Sequence, residues 1–154
     1  MRNGVYRLPE RSPSEASLIA GMFPDGVVCM HSALFHYAYA DRTPFGWDIA
    51  ISKNVSKSRF HIDGLHVNPY YVDEGVLDFG VVMDDFDGQS LRVFDRDRLI
   101  CECLRRQKSM DRETFNKAVL SYIADPKKNV AHLIDYGKKR RISKKIKQII
   151  GLWL

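Results

Sequence analysis

FPDGVVCMHSALFHYAYADRTPFGWDIAISK, residues 23–53, reads as a turn, a helix, a loop and a strand in succession. Pro24-Asp25-Gly26 carries the turn, because Pro presets φ and Gly tolerates the positive values that tight turns demand. Val27 and Val28 make a short apolar lead-in, and the small residues that follow predict a helix around Ser32–Ala38. Pro44 and Gly46 break that pattern and mark a loop. Trp47–Lys53 then alternates, with Trp47, Ile49 and Ile51 directed to one face and Asp48, Ala50 and Ser52 to the other. Period two over that length predicts a half-buried strand.

Upstream, Ser12-Pro13-Ser14-Glu15 predicts a helix start, with Ser12 as cap, Pro13 at the first helical position and Glu15 closing a capping box. Leu18, Ile19 and Met22 share one face of that helix. Downstream, Leu65–Val72 predicts a strand, and Pro69 places it at an edge or a bulge. Phe79, Val81 and Met83 lead toward Phe86, Asp87-Gly88 supplies a turn of positive φ, and Leu91 and Val93 return, which is a hairpin. Asp95 caps a helix with Leu99, Ile100, Cys103 and Leu104 as its buried stripe. Asp111 starts another, with Phe115, Ala118, Val119, Tyr122 and Ile123 at helical spacing until Asp125-Pro126 stops it. Val130, Leu133 and Ile134 predict a shorter helix ending at Gly137. A last helix from Ile142 puts Ile146, Ile149, Ile150 and Trp153 on one face and Arg141, Lys144, Lys145 and Lys147 on the other. Strands in the middle and helices at both ends predict an α+β fold around a mixed or antiparallel central sheet.

At 154 residues and 45% hydrophobic content, the chain suffices for a single domain with a true core. No apolar run approaches the roughly 20 residues that span a bilayer, and the polar start MRNGVYRLPERSPSE argues against a secretory signal. Three cysteines, an odd number, do not make a disulfide framework. Cys29, Cys101 and Cys103 are expected as reduced, buried thiols of a cytoplasmic protein. Cys101-x-Cys103 lacks the two-residue spacer of common zinc and redox pairs.

The charge is unevenly distributed. Residues 127–154 carry nine Lys or Arg against Asp135 alone, whereas residues 1–126 carry 15 basic and 18 acidic groups. Lys138, Lys139, Arg140, Arg141, Lys144, Lys145 and Lys147 put seven cations within ten residues with no acid among them. That run reads either as the solvated face of a terminal helix or as a contact surface for phosphates or an acidic partner. On nucleic acid, each phosphate it neutralised would steepen the salt dependence of binding by about 0.9 in the log–log slope. With few aromatics interleaved, such binding would be weakly sequence-selective.

Catalytic constellations are hard to assemble. Asp84, Asp85 and Asp87 could attract a metal, but neighbours on a strand diverge and Asp87-Gly88 is what a hairpin tip requires. A restriction-type nuclease needs a second carboxylate two residues before its lysine, and the candidate run from Asp48 to Lys53 has Ile51 there. His31 and His36 are five apart, which does not bring them together on a helix. His61 and His66 flank Asp63-Gly64 and could approach across a hairpin. Cys29 beside His31 fits alternation as well as a thiol–imidazole pair, and His132 stands apart. Phosphate loops, nucleophile elbows and HExxH helices do not occur. Adjacent Tyr70 and Tyr71 point to opposite faces, so at least one is expected at the surface, either as an interface anchor or as an ordinary surface tyrosine.

Three stretches together resemble one family. Phe23–Lys53 is similar to the core of the AbiEi-type antitoxin and transcriptional-regulator family of bacterial type IV toxin–antitoxin systems. Gly4-Val5-Tyr6-Arg7-Leu8-Pro9 resembles the last strand of the winged-helix wing preceding that core, and Phe86-Asp87-Gly88-Gln89-Ser90-Leu91-Arg92-Val93 resembles the family's hairpin before its following helix. The resemblance spans roughly Gly4 to Ala124. It implies residues 1–11 as a wing-like remnant of a winged helix-turn-helix, since Met1 falls only a few residues before the strand. Residues 12–154 would then be the antitoxin domain, with basic helices from residue 127. By this resemblance the chain is a non-catalytic regulator in abortive infection and phage defence, counteracting a nucleotidyltransferase-like toxin without cofactor or metal. DNA or RNA is a further candidate partner through the basic C-terminus. The competing expectations are a metal-dependent nuclease-like domain and a nucleic-acid-binding accessory module that uses the basic helix alone.

Overall fold

One two-residue strand holds the sheet together. In the computed structural model, which describes residues 14–55, 57–60 and 62–153, β1 (Val27–Val28) lies at the centre of a five-stranded mixed sheet. It pairs antiparallel with β2 (Trp47–Ser52) and parallel with β5 (Gln89–Phe94). Outside β2 lies β3 (Val67–Val72), parallel to it, and outside β5 lies β4 (Val81–Phe86), antiparallel to it, giving the order β3-β2-β1-β5-β4. Six helices complete an α+β architecture: α1 (Glu15–Met22), α2 (Met30–His36), α3 (Arg96–Arg105), α4 (Arg112–Ala124), α5 (Val130–Lys139) and α6 (Ser143–Ile149). The wing-like stretch 1–11, Ser12, Pro13 and His61 lie outside the described residues.

Local signals set most boundaries. Asp87 and Gly88 both take positive φ, 52° and 89°, in the two-residue turn between β4 and β5; both central residues of a type I′ turn need that conformation. Asp95 and Asp111 cap α3 and α4 by accepting the N–H of Arg98 and Thr114. Pro69 sits on the edge strand β3, where its missing N–H costs no ladder bond. α1 starts later than the capping-box reading: Ser14 is the cap, accepting the N–H of Ser17 at 3.1 Å. Glu15 is the first helical residue, and its carboxylate accepts the Trp47 indole N–H at 2.9 Å.

Two expectations change because tertiary contacts override the local pattern. Alternation along β2 predicted one wet face, yet Asp48–Ser52 are all buried. Ile19 and Phe23 meet Val28, Ile49 and Leu91 on one side of the sheet, while Met30 and Glu102 approach Ala50 and Phe94 on the other. The stripe expected on α3 widens likewise: every residue from Asp97 to Leu104 is buried, since α2, α4, α5, α6 and β5 all pack around it. A central helix buried all round is the pivot of the fold.

β4 is the exposed edge, with Val82–Asp85 open to solvent. Its acids protect that edge. Asp84 Oδ1 accepts the N–H of Asp85 at 3.0 Å, and Asp85 Oδ2 accepts that of Gly88 at 3.2 Å. Charged groups at an edge discourage pairing with another sheet.

Candidate functional site

α5 extends through Gly137, where the sequence suggested a stop. A Cβ at Gly137 would run into Ile146 Cδ1, so the glycine is there to let α6 approach, not to end the helix. The helix ends at Lys139 instead, with Arg140 as its cap and Arg141 just beyond it. Arg141 has φ 60°, its N–H donates to Lys138 O at 3.3 Å, and the next N–H, of Ile142, reaches back to Gly137 O at 2.9 Å. That pair of bonds is a Schellman motif with arginine in the position usually held by glycine.

The cationic run therefore divides. Lys138, Lys139, Arg141, Lys144 and Lys147 are exposed and Lys145 is half-buried, but Arg140 is buried. Arg140 is withdrawn from the contact set because both oxygens of Glu102 take it, Nε–Oε2 at 2.8 Å and Nη2–Oε1 at 3.0 Å. Lys139 pairs with Asp135 at 3.3 Å and lies over the Phe79 ring. Lys138, Arg141, Lys144, Lys145 and Lys147 have no ion pair among the described residues.

Glu102 also accepts Arg98 Nε at 2.9 Å. Arg98 is wholly buried, donates to the carbonyls of Phe79 and Val76 at 2.6 Å each, and is stacked by Phe79 and Phe94. Burial alone would push the Glu102 carboxyl up, but Arg140 and Arg98 outweigh it and hold Glu102 below the usual carboxylate range. Burial pulls the Arg98 guanidinium down. This three-residue bridge fastens the segment that carries the cations to the central helix.

A second arrangement was not read from the sequence. His31 Nδ1 lies 2.9 Å from Asp48 Oδ2, and a carboxylate can only accept, so Nδ1 carries the proton. The same oxygen accepts the His31 backbone N–H at 2.9 Å, Oδ1 accepts Asn68 Nδ2 at 3.0 Å, and Asp48 N–H donates to Ser32 Oγ at 2.9 Å. The bond to Asp48 raises the imidazole's affinity for a proton, against the opposing effect of burial. His31 lines a cleft of about 610 Å³ with Arg42, Asn68, Tyr70 and Lys117, and its Nε2 has no hydrogen-bond partner among the described residues. An oriented imidazole could move a proton there. Among the described residues, however, no hydroxyl or thiol is hydrogen-bonded to it as a nucleophile, and Asp48 meanwhile ties the start of α2 to β2. Sequence reasoning considered both residues but not the pair, because 17 positions separate them and only the β1–β2 register joins them.

The remaining candidates resolve into structural roles. Both oxygens of Asp48 are taken by protein donors, and Ile51 is buried where a second metal acid would stand. Asp84 pairs with His36 at 2.7 Å, and the two do not join His31. His66 bonds Asn68 at 2.9 Å and packs on Phe45. Cys29 does not pair with His31: it is fully buried, and burial drives its thiol well above the ordinary range. Cys101 and Cys103 are buried too, Cys101 pushed up to about 12 by burial. Tyr70 and Tyr71 are both partly buried, beneath Arg106 and beside Phe60, so neither is a free anchor. Asp95, Asp97 and His132 bring three ligand-type atoms within 4.8 Å of one another. Yet Asp95 accepts from Arg98 N–H and Tyr136 Oη, and Asp97 from Tyr122 Oη and Asn129 N–H. The helix start at Asp95 also favours an anion over a cation, so the cluster serves as a cap shared by α3 and α5. Compared with known proteins, the chain matches no family model and no curated protein.

Proposed function

We propose that the chain is an AbiEi-type antitoxin and transcriptional regulator of a bacterial type IV toxin–antitoxin system, acting in the cytoplasm by binding and not by covalent chemistry. Its counterpart is a nucleotidyltransferase-like toxin, whose effect it opposes with or without a stable complex between them. The observation that carries this reading is the cationic surface around the α5–α6 junction. Five cations there lack an acidic partner among the described residues, and the buried Glu102–Arg140 pair fixes their position on the core. The stretches on which the resemblance rests support it: residues 23–53 and 86–93 supply neighbouring strands, β1 of the first pairing with β5 of the second through Val28 and Val93. No helix among the described residues is long and apolar enough to cross a membrane.

The test is growth. Cells expressing the toxin encoded beside this chain stop growing, and co-expression of the soluble chain restores growth. Unchanged arrest in the presence of soluble chain contradicts the antitoxin reading.

A further inference from the structure

A groove of about 430 Å³ opens between α1, α2, the start of β2 and the β4–β5 turn. That size is within the range of ligand-binding clefts, about 300–1,000 Å³. Its walls are aromatic: Phe35 is 43% exposed, Trp47 is partly buried, and Phe86 stacks on His36 with ring centroids 4.1 Å apart. Its acids are Glu15, Asp85 and Asp87, no Lys or Arg among the described residues lines it, and its one histidine, His36, is held by Asp84 at 2.7 Å. Each of these carboxylates keeps one oxygen without a hydrogen bond or ion pair among the described residues. Glu15 uses only Oε1, toward Trp47; Asp85 uses only Oδ2, toward Gly88; and Asp87 uses neither. In a chain of net charge +5, a group of acids without ion pairs among the described residues, beside one exposed and two partly buried rings, has a defined complement. A guanidinium or ammonium gains from the ring faces and from the carboxylates together.

We propose that this groove docks an exposed arginine- or lysine-bearing segment of a partner polypeptide. The groove exceeds what a single side chain fills, and its rim continues into β4, whose residues Val82–Asp85 are exposed at the sheet edge. A basic segment can lie over that acidic edge without pairing with its backbone, while its side chain enters between Trp47, Phe35 and the acids. The surface shares no residue with the cationic one, so the chain offers two contacts of opposite charge. It stands independently of the antitoxin reading.

The test titrates the full chain with a hexa-arginine peptide, using hexa-citrulline as its uncharged counterpart. Affinity is measured by calorimetry, and the Trp47 indole N–H is followed by NMR. Hexa-arginine binds and shifts the Trp47 resonance, whereas hexa-citrulline does neither. The isosteric triple substitution E15Q/D85N/D87N weakens binding about tenfold, the loss of three modest charge contacts. The charge-matched D41N/D63N/D78N, which removes three exposed acids elsewhere, weakens it by less than about twofold. If the first triple does not fold, D87N alone is read, since Asn tolerates the positive φ at that turn, and about a twofold loss is expected. Equal weakening by both triples, or an unmoved Trp47 resonance, overturns the proposal. Binding of spermine as tight as that of the peptide overturns it in favour of a small-amine site. Self-association of the chain that E15Q/D85N/D87N abolishes overturns it in favour of a second copy as occupant.

Discussion

His31 and Glu102 show how a charged side chain is read differently once its partners are known. The bond from Asp48 raises the His31 pKa in the folded chain above 6.5, so the folded state holds that proton more tightly than the unfolded state. The stability from this pair is fully present below 6.5 and is lost as pH rises through the folded value. NMR titration of the His31 ring is expected to give a midpoint above 6.5, and His31→Gln to remove that component of the pH dependence; a midpoint at or below 6.5 refutes the pairing. Glu102 is the opposite case. Its folded pKa is depressed below 4.5, so its contribution is complete above 4.5 and disappears as pH falls through the lower folded value. Glu102→Gln leaves two guanidiniums without their counter-charge, one wholly buried, and is expected to cost about 3–5 kcal/mol in denaturant melts near neutral pH. The loss should shrink in acid, where the wild type forfeits the same interaction.

Among the elements, the caps and turns follow from their own residues. Asp95, Asp111 and Asp87-Gly88 act within three positions of themselves, which is why they are legible in sequence. Gly137 is not, because its reason lies in Ile146 on the next helix. Gly137→Val is expected to destabilise by about 1–3 kcal/mol through overpacking against α6. Arg141 carries the left-handed conformation that a glycine would adopt freely, so Arg141→Gly should stabilise by about 1 kcal/mol. Chemical denaturation of both variants checks the pair; a neutral Gly137→Val would mean that α6 is not packed on α5 as described. β2 is legible as a strand, but its burial on both faces is not, for the same physical reason as Gly137. Its alternation is real, but helices cover both faces, and nothing within the strand announces α1 or α3.

For the whole molecule, composition located the cations but not their division. Arg140 looks the same as its neighbours in sequence and becomes a buried anchor only because Glu102, 38 positions upstream, reaches it. The His31–Asp48 pair and the acidic groove likewise join residues from different elements, and no local motif points to them. What remains at the surface is a basic patch near the C-terminus and an acidic, aromatic groove beside the hairpin, on a scaffold whose elements are joined by buried ion pairs. Growth of toxin-expressing cells supplied with K138Q/R141Q/K144Q/K147Q in place of the wild type tests most directly whether the patch does the work. Wild type restores growth, and the folded variant, with Arg140 and its anchor intact, does not. Full rescue by that variant would contradict the account.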